Sequence, residues 1–216
     1  MNLDIILSIP KSIITCIKIG GMPWYSLPLL ISWKSKVKGI RKGSIELNKP
    51  ERFGVMLGFG GTEDVYGNNK GYINILPTGK LVFQGKAIIA QGYSIRINSG
   101  EFNIGDGCWI NKNFHASCSR GITLGDDFLG GWNIDINDSD GHIIIDNGVE
   151  KPNEKEINIG NHVWCASNVS IYKGTKIPNN SVVGAHSIVL GEYNKENVLI
   201  AGYPATIKKE GLYWKH

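Results

Sequence analysis

From Ile159 the chain repeats itself every six residues. Ile159, Cys165, Ile171, Ile177, Val183 and Val189 stand in one unbroken phase, and Val163, Val169, Thr175, Ser181 and Ser187 follow the first five of them at a distance of four. Neither the helix period of 3.6 nor the strand period of 2 produces this spacing. A hexapeptide period is the mark of a parallel β-helix, in which each hexad gives one short flat strand and a turn. Three hexads make a triangular coil with aliphatic side chains stacked down the axis. No coil buries its own apolar face, so stability comes from stacking on its neighbours.

The rhythm reaches upstream. Ile104, Ile110, Ala116 and Ile122 form one series; Leu124, Gly130 and Ile136 form another, shifted by two residues near Arg120-Gly121. Fainter hexads run from Ile75 through Leu81 to Ala87, and from Ile89 to Ile95. Gly follows the inward aliphatic in Ile104-Gly105, Leu124-Gly125, Ile159-Gly160 and Val183-Gly184, and Asp, Asn and Gly crowd the corners. These residues tolerate the tight or left-handed geometry a corner needs. A β-sandwich also carries many turns, but it does not hold a six-residue phase over six successive positions.

The expected organisation has four parts. Residues 1–40 are a helical N-terminal cap segment broken by Pro23 and Pro28, and residues 41–73 are lead-in strands and loops. The β-helix runs over 74–189 with an inserted loop at 143–156, and 190–216 form a C-terminal tail. Leu3, Ile6, Leu7, Ile13, Ile14 and Ile17 fit one face of a helix. Pro10, Lys11 and Lys18 interrupt the run, which is too short and too polar to span a membrane. Asp4 and the missing basic n-region argue against a signal peptide. A cap over the open solenoid end, a trimer contact, and a membrane-surface helix followed by the basic stretch 34–42 all fit this segment.

The net charge of +4 does not demand nucleic acid, and no Lys/Arg run with interleaved aromatics tracks a phosphate backbone. The four cysteines, Cys16, Cys108, Cys118 and Cys165, form no CxxC pair, so a reducing cytosol is expected. Gly58-Phe59-Gly60-Gly61 lacks the Gly-Lys-Ser/Thr of a phosphate loop. No His pair has metal-ligand spacing, and there is no Gly-x-Ser-x-Gly. His162 and His186 fall at corners and His115 precedes one.

His142, in Asp138-Ser139-Asp140-Gly141-His142, stands where the series Leu124, Gly130, Ile136 next requires an inward aliphatic. An unpaired imidazole there is costly to bury. The rhythm stops at this point and a loop leaves. A His with two carboxylates at the mouth of a loop has the ingredients of a general base; a loop anchor hydrogen-bonded to Asp138 or Asp140 has the same ones.

Four stretches carry a resemblance. Ile159 to Val169 (IGNHVWCASNV) resembles an IGxxVWIGxNV coil, Val183 to Val189 (VGAHSIV) a VIGAGSVV coil, and Ala201 to Lys209 (AGYPATIKK) an AGNPAKxIR tail. Asp138 to His142 resembles the DxDxH segment that holds a catalytic histidine. Together they are similar to the hexapeptide-repeat acyltransferases, closest to the O-acetyltransferases of bacterial capsule, exopolysaccharide and lipopolysaccharide clusters. The likeness covers most of residues 50–210.

The resemblance implies an all-β, left-handed parallel β-helix and acetyl-CoA as co-substrate. It implies His142 as the base that takes the acceptor proton, with Asp138 or Asp140 orienting it. Trp164 lines the thioester end of the pantetheine channel, and Ala166 and Ala185 let the pantetheine arm pass close to backbone. Gly202 and Pro204 belong to the tail motif, and Lys208 and Lys209 lie near the CoA phosphates. The sequence departs from the family at Ala166, Ala185, Tyr203 and Thr206, the last removing one phosphate contact. A homotrimer, a carbohydrate acceptor and no metal follow from the same resemblance; the charge balance leaves no nucleic-acid partner expected, the cysteines place the chain in the cytoplasm, and the N-terminal segment leaves peripheral contact with the inner face of the membrane open. The rival readings are an N-acetyltransferase of nucleotide-linked amino sugars, a serine O-acetyltransferase, a γ-carbonic-anhydrase-like hydratase and a non-catalytic β-helix.

Overall fold

The computed structural model describes residues 3–21, 23–61 and 70–215. Residues 62–69 of the expected lead-in lie outside them. Three parallel sheets of nine, seven and six strands form the faces of a triangular prism, and the chain visits first, second and third face in turn. The strands are short because each places only two side chains inward, at i and i+2, before the chain turns a corner. Ile122 and Leu124, on the strand Gly121–Leu124, are one such pair. The two-residue shift between the sequence series is this i, i+2 pair.

Inward residues stack rung on rung. On the first face Ile110 pairs with Gly130, Gly130 with Cys165, Cys165 with Val183 and Val183 with Ile200. On the second, Ile95, Ala116, Ile136, Ile171 and Val189 follow one another. These side chains are essentially fully buried, and each aliphatic contributes roughly 1.5–3 kcal/mol over its exposed state. Cys165 fills a rung between a glycine and a valine, where a small side chain fits. Burial pushes its thiol well above the ordinary cysteine range.

The corners are built from the residues the sequence crowds there. Asn113, Asn133, His162, Asn168, Asn180 and His186 all have φ between 53° and 64°, a region that Asn tolerates. The Asn113 amide donates to Asn133 Oδ1, and that of Asn133 to Asn168 Oδ1, both at 2.9 Å. At another corner Gly105, Gly125 and Gly160 lie directly over one another. A Cβ on Gly125 would sit 2.5 Å from the Gly160 carbonyl carbon, so only glycine permits the inter-coil spacing.

The stacked coils begin well before residue 74. Strands Leu29–Ile31, Lys36–Lys38, Ile45–Leu47 and Val55–Leu57 already lie on the three faces. Their starts are spaced seven, nine and ten residues apart, so the stacking is present while the six-residue phase is not. The C-terminal segment also joins the fold. Val198–Gly202 adds a parallel rung to the first face, and Ala205–Glu210 pairs back on it antiparallel.

The helix α1 (Leu3–Ile19) covers the open N-terminal end. It presents its hydroxyl side inward. Ser8, Ser12 and Thr15 are buried, and the backbone N–H groups of Ile31 and Trp33 donate to Ser12 Oγ and Ser8 Oγ at 2.9 Å. Lys11 Nζ donates to the carbonyls of Trp33 and Ser35 at 2.6 Å. An edge strand with unpaired polar groups needs such partners. Among the described residues no helix is long and apolar enough to cross a membrane.

Candidate active site

The chain leaves the second face after the strand Asp135–Asn137 and rejoins the third at Ile157–Ile159. Between them Ile144–Asp146 and Val149–Lys151 form an exposed antiparallel hairpin. Asp138 anchors its base. This carboxylate is fully buried and accepts three backbone hydrogen bonds, from the N–H groups of Ser119, Arg120 and Gly121 at 2.7–2.8 Å. Asp140 N donates to Asn153 O, and Lys155 N to Asp138 O. Lys173, from the next coil, ion-pairs with Asp140 and donates to the Pro152 carbonyl, tying both strands of the excursion to the prism.

His142 stands on this excursion and is exposed. It does not occupy the inward hexad position expected of it, because the third-face rung over Ile122 is taken by Ile157. The two carboxylates expected to orient it serve other partners, Asp138 the coil below and Asp140 the Lys173 ammonium. Their effect is to fix the segment on which His142 is carried.

Beside the base of the excursion lies an open cleft of about 310 Å³, lined by Asn98, Ser117, Ser119, Asn137, Asp140 and Gly141 among others. Its walls are hydroxyls and amides with the carboxylates of Asp140 and Glu154 among them, and it reaches the residue preceding His142. Further along the same face His115 Nδ1 donates to Asp135 Oδ1 at 2.5 Å. That hydrogen bond raises the His115 pKa against the opposing effect of partial burial. His115 lies within the strand His115–Cys118 rather than before a corner.

Trp164 is on the first face, outward between Leu129 and Val182, and 36% exposed. It and His142 stand on separate elements, the first-face strand Trp164–Cys165 and the excursion between Asn137 and Ile157. Trp214, which the sequence reading missed, stacks on His162 (centroids 4.1 Å apart, planes within 6°) and lies 6.1 Å from Trp164. Its Nε1–H donates to the His162 carbonyl at 3.1 Å. The Trp164 strand is thus flanked by an aromatic wall made by the C-terminal segment.

At the edge of the first face a column of small residues runs up the prism. Gly131 N donates to Cys165 O, Ala166 N to Val183 O and Gly184 N to Ile200 O. A Cβ on Gly131 would press on the Ala166 backbone at 2.8 Å, and one on Gly184 would meet the Ala201 Cβ at 2.9 Å. Ala185 is exposed beside this column. Near its foot the Trp132 Nε1–H is buried without a hydrogen-bond partner. Gly202 and Pro204 follow the last rung, and a Cβ on Gly202 would come within 3.7 Å of Lys208 Nζ. Lys208 and Lys209 are exposed. A smooth corridor with ammonium groups at one end fits the narrow arm and the phosphates of a CoA thioester. The structure brings Ala166, Ala185, Gly202 and Lys208 to one edge, with Trp164 beside them. Among the described residues no three His, Cys, Asp or Glu side chains gather to hold a metal ion.

No family model matches the chain. An "Uncharacterized 24.8 kDa protein in cps region" of Klebsiella pneumoniae is 31% identical over 192 residues, 89% of this chain and 83% of its own length. The "Putative lipopolysaccharide biosynthesis O-acetyl transferase WbbJ" of Escherichia coli K12 is 31% identical over 133 residues, 56% of this chain and 67% of its own. Among solved structures the polySia-specific acetyltransferase NeuO superimposes with a TM-score of 0.61 at 21% identity, covering 84% of this chain and 76% of the other, a likeness of fold. The prism is a left-handed parallel β-helix. On its repeat, its coil motifs and these relatives, the chain belongs to the hexapeptide-repeat acyltransferases and is an acetyltransferase.

Proposed function

We propose that this protein transfers an acetyl group from acetyl-CoA to a sugar hydroxyl of a surface polysaccharide or its precursor, with His142 as general base. The carrying observation is that an anchored excursion carries His142, exposed, next in sequence to Gly141 in the wall of a polar cleft of hydroxyls, amides and two carboxylates. Such a cleft suits the many hydroxyls of a carbohydrate, and a relative in a cps region and one tied by name to lipopolysaccharide biosynthesis point to the same acceptor class.

Acetyl-CoA supplies an activated thioester carbonyl. His142 takes the acceptor proton as the hydroxyl oxygen forms the new ester bond, and returns it to the thiolate when the C–S bond breaks. Asp138 and Asp140 hold the base in place through the anchors of its loop. Trp164 borders the thioester, and Ala166, Ala185, Gly202, Pro204, Lys208 and Lys209 flank the arm and phosphates. The rate then comes from holding hydroxyl, base and thioester in line. Because His142 and Trp164 stand on different faces, a complete site needs the base of one protomer and the tryptophan of the next, which a homotrimer supplies. The enzyme works in the cytoplasm, with its N-terminal segment against the inner face of the membrane.

His142→Ala is expected to lower acetyl transfer by about 10²–10⁴-fold while CoA binding survives, measured by thiol release and by calorimetry. Unchanged turnover with a carbohydrate acceptor returns His142 to the role of a loop residue.

A further inference from the structure

We propose that α1 docks this protein on an anionic lipid bilayer, apolar stripe inward to the acyl boundary and lysines among the headgroups. The inference gives the membrane station of the proposed function its partner and rests on that reading only there.

The helix buries Ser8, Ser12 and Thr15 along with Cys16 and Ile19, a face more polar than that of an ordinary surface helix. Its hydroxyls face the protein because the edge strand of the first coil needs hydrogen-bond acceptors. The apolar side is consequently left outside: Leu3, Ile6, Leu7, Ile14 and Ile17 are 45–67% exposed, at helical spacing along one line. The stripe continues into a groove between helix and coil lined by Leu7, Pro10, Ile14, Trp33 and Val37. Trp24, Tyr25 and Trp33 are also exposed at this end, and amphipathic rings of this kind settle at a headgroup boundary.

Charge chooses the occupant. Residues 1–45 hold seven Lys and Arg against one Asp, net +6, whereas the other 171 residues hold 16 against 18, net −2. Lys18, Lys36, Lys38 and Lys42 are exposed around the stripe. A second copy seated on the stripe would bring two such +6 ends together, and like-charge juxtaposition opposes that. A bilayer containing acidic phospholipid answers both features: it takes up the apolar side and attracts the basic rim.

The test is sedimentation of the full chain with vesicles of phosphatidylcholine alone and with added phosphatidylglycerol. Binding to the acidic vesicles is expected to be at least about tenfold tighter and to weaken with salt. The double variant Ile14→Glu/Ile17→Glu, at exposed positions, is expected to lose it, and Lys36→Glu/Lys38→Glu to weaken it. Quenching of the unmodified protein's indoles by brominated phosphatidylglycerol reports docking without any substitution. Absence of both acidic-vesicle binding and quenching overturns the proposal. So does a double variant that keeps vesicle binding and changes only the oligomeric state, which makes the stripe a subunit contact. Acetyl transfer to a soluble carbohydrate is measured in parallel, so a failure to dock with activity intact removes the docking and leaves the proposed chemistry standing.

Discussion

At the scale of single residues, the histidines separate by what surrounds them. His162 and His186 are corner residues in left-handed conformations, as their hexad positions implied. His115 is different, because Asp135 lies directly opposite on the next rung. The hydrogen bond to that carboxylate holds the His115 pKa above its ordinary value. The folded-state value exceeds the unfolded one, so the pair's stabilisation is fully present below the unfolded pKa and is lost as pH rises through the raised folded value. An NMR titration of the ring protons should show this upward displacement, and Asp135→Asn should abolish it; an unshifted His115 in the unaltered protein contradicts the pairing. The pair was legible in principle, since Ala116 and Ile136 are both inward and 20 residues apart, which places the residue before each side by side. It went unseen because coil length has to be known before rungs can be aligned. Trp214 left no periodic signal at all: it lies beyond the last coil and reaches His162 only through the fold of the C-terminal segment.

Among the elements, coils whose corners have constant length were readable and the others were not. The run from Ile159 to Val189 advances by six residues a step and each of its inward residues is buried. The coils from Leu29 to Leu57 use longer and unequal corners, so the same stacking leaves no period in the sequence. Helix α1 was legible as a helix but not in its orientation, since amphipathicity normally points the apolar side inward and here the hydrogen-bonding needs of an edge strand override it. The rhythm breaks at His142, within the segment that leaves the prism between Asn137 and Ile157. The anchoring of that excursion by Asp138 was not visible, because the three N–H groups it receives belong to a stretch 17 to 19 residues upstream. Asp138→Ala strands these donors in a buried corner and should cost about 3 kcal/mol in urea unfolding, with faster amide exchange at Ser119, Arg120 and Gly121. Asp140→Ala, which removes a partly exposed ion pair with Lys173, should cost less than about 1 kcal/mol. Equal costs at the two positions contradict the assignment of Asp138 as the anchor.

At the scale of the whole molecule, the two parts of the proposed site stand apart on one chain. The excursion bearing His142 departs from the second face, whereas Trp164 and the small-residue corridor belong to the first face and its edge. In the proposed homotrimer each first face would meet a neighbour's excursion through a heterologous contact that closes on itself. This arrangement makes a prediction that neither variant alone can make. His142→Ala and Trp164→Ala trimers should each be nearly inactive. When the two are unfolded together in equal amounts and refolded, a site works only where a protomer with an intact His142 meets a neighbour with an intact Trp164. Random assembly gives about one quarter of sites that combination, so activity should recover to about a quarter of the unaltered enzyme's. If base and tryptophan acted within one chain, every protomer of the mixture would still lack one of them and no activity would return. Sedimentation of the same mixture checks that trimers have formed, and recovery without trimers would contradict the shared site as firmly as no recovery with them.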